Sequence, residues 1–133
     1  MHFSVQGNHL HLIVEVADEV ALARGMQGLA IRMAKGLNRV MQRSGAVFRE
    51  RYHAHVLRSP TEVARAVAYV LGNYFHHAAS WGACIAREHV DPYSSAAEHD
   101  KAWTGVDPPL VVEPRTWLLR AGWERGGATR RAG

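Results

Sequence analysis

Residues 9–16, His-Leu-His-Leu-Ile-Val-Glu-Val, are rich in branched side chains, and their two-residue period predicts a β-strand. Leu10, Leu12, Val14 and Val16 then share one fully apolar face, expected to pack on helices. His9, His11 and Ile13 share the other face, where chemistry could sit. From Asp18 to about Arg43 the period becomes helical. Leu22, Met26, Leu29, Met33, Leu37 and Val40 recur at spacings of three and four, and Arg32, Lys35, Arg39 and Arg43 follow the same spacing on a flank. Asp18 fits the start of this helix and Ser44-Gly45 its end.

Ala46 to Arg58 reads as a second strand, with Phe48, Tyr52, Ala54 and Val56 alternating against Arg49, Arg51, His53 and His55. Ser59-Pro60-Thr61-Glu62 then signals a helix start, with serine at the cap, proline in the first turn and glutamate closing a capping box. That helix is expected to run to about Ala78, with Val63, Val67, Val70, Leu71, Tyr74 and Ala78 on its core face. Arg65, Tyr69, Asn73 and His76 fall on another side. A short helix is expected from about Pro114 to Trp123, and Trp103, Trp117 and Trp123 read as packing anchors for the C-terminal segment.

Composition narrows the classes. The chain has 133 residues, 47% hydrophobic and 21% charged, which is room for one ordered globular domain and not a disordered chain. One cysteine, Cys84, excludes an internal disulfide framework and a cysteine-based zinc site, and a cytoplasmic location is the expectation. No apolar leader precedes the pattern. The charge-free stretch from Ala66 to Ala86 carries Asn73, His76, His77 and Ser80, so it reads as soluble helix plus loop and no membrane partner is expected. The net charge of +4 is unevenly spread: Leu22 to Arg65 holds nine basic residues against Glu50 and Glu62. A basic middle and a basic tail suit a polyanion, of which nucleic acid is the commonest.

Within this frame, His9 and His11 lie two apart on one strand face, so both imidazoles can converge on a divalent ion, although such a pair taken alone is more often structural. Tyr69 and Asn73 are neighbours on a helix face away from the apolar stripe. A tyrosine placed there can be a nucleophile if a cation stabilises the charge that develops, and is otherwise an ordinary surface tyrosine. His53 and His55 form a second same-face pair, read as DNA-facing or structural, and His76 and His77 read as helix-end residues favoured by the helix dipole.

Gly7-Asn8-His9-Leu10-His11-Leu12-Ile13-Val14 resembles the histidine strand of the single-tyrosine HUH transposases, including the REP-associated tyrosine transposases of bacteria. Phe48 to Leu57 and the helix Val67-Ala68-Tyr69-Val70-Leu71-Gly72-Asn73 extend the resemblance over about residues 5–79, in order and in interval. The resemblance implies an α+β fold, a ferredoxin-like antiparallel sheet with helices on one face. It implies Mg²⁺ or Mn²⁺ bound by His9, His11 and Asn73, and attack by Tyr69 on a DNA phosphate. Arg32, Lys35, Arg39, Arg43, Arg49, Arg51 and His55 are then candidates for contacts to single-stranded or hairpin DNA. The family includes homodimers that exchange tyrosine helices.

Family members place a strand and a helix before the histidine strand, where this sequence has eight residues, so the sheet is expected to be incomplete at the N-terminus. Residues 1–79 are expected to form the catalytic core and 80–133 a loop-rich basic extension. A strand-transferring nickase is one reading. A domesticated or degenerate protein that binds nucleic acid without cutting it is the alternative. A histidine-metal hydrolase ranks behind both, because no general base stands near the pair in the sequence.

Overall fold

The computed structural model describes residues 1–85, 89–99 and 111–126. The elements follow the order β1 (His2–Val5), β2 (Leu10–Ile13), α1 (Glu19–Val40), α2 (Pro60–Ser80), α3 (Ala96–His99), a π-helical turn (Leu118–Gly122) and α4 (Trp123–Arg125). This is an α+β chain in two compact units, one formed by Met1–Glu15 with Leu57–Gly133 and the other by Val16–Val56. Among the described residues no helix is long and apolar enough to cross a membrane. Trp103 and the tail arginines Arg130 and Arg131 lie outside the described residues.

The first unit is built on a hairpin. β1 and β2 pair antiparallel, with His2 opposite Ile13 and Ser4 opposite His11, and the loop is closed by the Gln6 amide donating to the His9 carbonyl at 2.9 Å. The expected strand over residues 9–16 is therefore shorter, and a strand, but no helix, precedes it within the first eight residues. The far edge of β1 is covered by residues 93–95. The Val5 amide donates to the Tyr93 carbonyl, the Ser95 amide donates to the Phe3 carbonyl, and Ser4 and Ser94 form an antiparallel bridge. Covering that edge removes a row of unpaired backbone groups.

α2 lies against this hairpin. Its start is the capping box that the sequence announces: Ser59 Oγ accepts from the Glu62 amide at 3.2 Å, and the Glu62 carboxylate accepts from the Ser59 amide at 3.1 Å. Its end is a Schellman turn, with Gly82 at φ +71 and the Ala83 amide donating back to the Ala78 carbonyl. Val63, Val67 and Val70 of α2 form the core with Ile13 and Leu119, and Leu57, Leu118 and Trp123 pack around it. The histidine-bearing face of β2 is thus the one turned to the helix. On the opposite face, expected to be the packed one, Leu10 and Leu12 are half-buried, and Val14 and Val16 beyond the strand are exposed. Ile13 decides this orientation, because by the pleat it brings His11 and His9 inward with it.

A polar tie and a ring contact fasten the C-terminal segment. Glu15 accepts from the backbone amides of Arg115 and Thr116 at 2.7 and 2.9 Å and from the Thr116 hydroxyl. Burial alone would raise the Glu15 carboxyl, but these donors outweigh it and hold it below its ordinary value. Trp123 meets the buried His2 ring edge-on at 6.3 Å, as a packing anchor would. Trp117 is half exposed and stands under the Arg125 guanidinium instead.

In the second unit, Asp18 caps α1 by accepting from the Ala21 amide at 2.7 Å. The helix stops at Met41, earlier than the expected Ser44-Gly45, because Gln42 takes φ 51 and the Arg43 amide donates to the Asn38 carbonyl, again a Schellman turn. None of the α1 residues is buried. The expected strand over Ala46 to Arg58 does not form: no described segment pairs with it, and Phe48, Tyr52 and Val56 are exposed. Alternation specifies a strand only where a neighbour takes up the backbone groups and one face is buried. The sheet among the described residues accordingly has two strands, and no ferredoxin-like topology is displayed.

The capping box gives a direct test of what sets the α2 start. Ser59→Ala is expected to lower the unfolding free energy by about 1 kcal/mol, read from urea denaturation followed by circular dichroism.

Candidate functional site

The site lies between β2 and α2, inside the first unit. On β2 the His9 and His11 rings meet edge-on with centroids 4.9 Å apart. On α2, Tyr69, Asn73 and His77 recur at spacings of four, one above another on the side that faces the strand. The two elements bring these groups together. The His11 ring meets Tyr69 edge-on at 5.1 Å, the His9 and His77 rings are 4.7 Å apart, and Asn73 Nδ2 lies 3.4 Å from His9 Nε2. The tyrosine ring is half exposed and stacks on His76 at 5.9 Å.

The chemistry of the donors follows from their partners. His9 Nδ1 lies 2.7 Å from Asn8 Oδ1, and an amide oxygen can only accept, so Nδ1 carries the hydrogen. The His9 Nε2 lone pair is thereby aimed into the cluster, the orientation that a ligating histidine takes when its other nitrogen is tied. Burial, and then the charges that His9 and His77 would carry, lower the His11 pKa, so its imidazole is neutral at pH 7 with a lone pair available.

Two atoms at the heart of the site, His11 Nε2 and Asn73 Oδ1, are buried without a hydrogen-bond partner in the protein. An unpartnered buried polar atom costs roughly 1–3 kcal/mol. A cation bound between them would satisfy both. Among the described residues no three His, Cys, Asp or Glu side chains form a ready cluster for a metal. The candidate donors are instead a mixed set, the two strand imidazoles with the Asn73 amide, of which His11 Nε2 and Asn73 Oδ1 have no partner. A hollow of about 360 Å³ opens beside it, lined by Gln6, Gly7, Asn8, His9, His77 and Trp81.

The structure places His9, His11, Tyr69 and Asn73 near one another. One assignment changes. Asn73 is 1% exposed, on the buried side of α2, because the half-buried strand opposite it is polar and leaves an amide a place in the interior. His77 lies in the last turn of α2, as expected of a helix-end residue, and is there also turned against His9, with their Nε2 atoms 3.1 Å apart. The spacing of four that links Tyr69 to Asn73 continues to His77, and that was the signal available in the sequence. Arg32, Lys35, Arg39, Arg43, Arg49, Arg51 and His55 all lie in the second unit with exposed side chains. Arg43 donates to the Ala46 carbonyl at 3.2 Å within that unit. No family model, curated protein or solved structure matches the chain.

The lowered His11 pKa fixes the sign of a pH effect. Below the ordinary value of 6.5 the unfolded chain takes up a proton that the folded chain resists, so stability is full above that pH and is lost as pH falls through the folded value. In chelator-treated protein the denaturation midpoint is expected to drop between pH 7.5 and 5.5, and to drop less in His11→Asn.

Proposed function

We propose that the chain is a single-tyrosine DNA nickase and strand transferase of the HUH transposase type, acting on single-stranded or hairpin DNA. The observation that carries this reading is the meeting of His9, His11 and Asn73 beside Tyr69, strand and helix residues 58 or more positions apart in sequence. A strand that gives its histidines to a helix bearing a tyrosine is what this chemistry needs. The α+β class of the fold agrees with this reading, while the ferredoxin-like core that belongs to it is part of the proposal.

His9, His11 and Asn73 would hold Mg²⁺ or Mn²⁺, which supplies Lewis-acid polarisation of a phosphoryl oxygen. The Tyr69 hydroxyl oxygen attacks phosphorus as the bond from phosphorus to the 3′ oxygen breaks. A 5′-phosphotyrosine forms, and the 3′ oxygen leaves as a hydroxyl with the proton that the tyrosine gives up. The phosphodiester energy is kept in the phosphotyrosine, so rejoining to another 3′ hydroxyl needs no further energy source. The half-exposed position of Tyr69 supports this role, since its attack requires an accessible phosphate. Exposed arginines on α1 offer sequence-independent contacts to the DNA backbone.

Incubation with labelled hairpin DNA and Mn²⁺, followed by a denaturing gel, tests the reading. A covalent adduct is expected, dependent on the metal and abolished in Tyr69→Phe. Retarded DNA without an adduct across several hairpins would instead place the chain among binding-only relatives of such enzymes.

A further inference from the structure

We infer that the hollow beside His9 is a nucleobase subsite, in which one base of the DNA strand stacks on Trp81. This rests on the DNA-binding half of the proposed function and not on the tyrosine step. Trp81 follows α2 as its C-cap and extends the row of Tyr69, Asn73 and His77 by a further spacing of four. Its backbone is fixed there, since its amide donates to the His77 and Ala78 carbonyls and the chain reverses at Gly82. Its indole takes little part in the fold. The side chain is 74% exposed, and its ring contact among the described residues is with the His77 imidazole, tilted by 42° at 6.1 Å. An indole held at a rigid helix end and left largely open is a stacking platform, and every base offers it a π-face.

The hollow selects which part of a nucleic acid enters. At about 360 Å³ it falls within the range of small-ligand sites, roughly 300–1,000 Å³. Among the described residues that line it none is lysine or arginine, so a phosphate finds no permanent positive charge there. Its walls are the rings of His9, His77 and Trp81, with the amides of Gln6 and Asn8 between them. One end of each amide is already bonded. Gln6 Nε2 donates to Ser4 and Asp91, which leaves Oε1 to accept, and Asn8 Oδ1 accepts from His9, which leaves Nδ2 to donate. A ring platform beside one donor and one acceptor suits the edge of a base, which carries hydrogen-bonding groups of its own. An aliphatic side chain from a partner protein would leave both amide ends unpaired.

The subsite adjoins the reacting one. His9 lines the hollow and also meets His11 and Asn73, so a strand that passes Tyr69 and follows α2 reaches Trp81. At about 1.5 Å per residue, positions 69 and 81 stand about 18 Å apart along the helix axis. The stacked base therefore belongs to a nucleotide a few positions from the phosphate under attack.

The test measures the fluorescence anisotropy of labelled single-stranded DNA titrated with the full chain carrying Tyr69→Phe, which forms no adduct. Two strands of equal length are compared, one with its bases and one wholly abasic. Trp81→Ala, a change at an exposed position, is expected to weaken binding of the intact strand about tenfold, as the loss of one base–aromatic stack requires. Trp81→Phe is expected to recover most of that loss. On the abasic strand all three chains are expected to bind alike, the non-additivity that marks a direct contact between ring and base. Unchanged affinity in Trp81→Ala, or an equal loss on both strands, would overturn the inference while leaving DNA binding in place. Absence of binding to either strand would overturn it along with the DNA half of the proposed function. A base-dependent loss in Trp81→Ala, with no covalent adduct from the chain that keeps Tyr69, would uphold it and remove the tyrosine step alone.

Discussion

Everything in the first unit depends on α2 lying across the histidine face of the β1–β2 hairpin. Ile13 is the residue that makes this happen: it is 7% exposed and sits among Val63, Val67, Val70 and Leu119. Full burial of a side chain of this kind contributes about 1.5–3 kcal/mol. The pleat couples it to its neighbours, since turning Ile13 outward would carry His11 and His9 out with it. One apolar residue at the end of the strand therefore aims two imidazoles at a helix, and α2 answers with valines at its N-terminal end and Asn73 and His77 further along.

The result is a core whose two ends differ in kind. Near the start of α2 it is aliphatic and sealed by the π-helical turn and Trp123. Along β1 it is polar: His2, Ser4, Ser94, Ser95 and Asp91 are all buried. Asp91 accepts from Gln6 Nε2 at 3.2 Å and from the Tyr93 amide at 2.9 Å, and Gln6 also donates to Ser4. The Phe3 amide donates to Ser95 Oγ at 3.0 Å. Buried polar groups are tolerated where each finds a partner. Gln6 opens the loop that continues through Gly7 and Asn8 to His9, so this network steadies the same loop whose Asn8 fixes the His9 tautomer. In this unit His11 Nε2 and Asn73 Oδ1, among the described residues, are buried without a partner instead.

Much of the helical structure was legible because its signals are local. Asp18, Ser59, Pro60 and Glu62 act within one turn of themselves, and they act the same way in any surroundings. That His9 shares a strand face with His11, and Tyr69 a helix face with Asn73, was legible because their spacings of two and four place them so. His77 escaped notice because a helix-end histidine has a sufficient local explanation, and nothing nearby in sequence reveals that His9 lies opposite. Residues 46–58 misled for the same reason in reverse: their alternation is local, but a strand is made by a partner, and none is present among the described residues.

The sequence by itself determined where α1 and α2 begin and that Val63, Val67, Val70 and Ala78 lie on the buried side of α2. Capping and periodicity are properties of a few consecutive residues, so no distant contact is needed to read them. Only the tertiary structure decided which face of β2 is covered, that residues 2–5 and 93–95 complete its surroundings, and that His77 joins the site. Those outcomes turn on which segments meet across tens of residues, and they are set by the burial of Ile13 and Leu119 and by backbone pairing, quantities that exist only once the chain has folded.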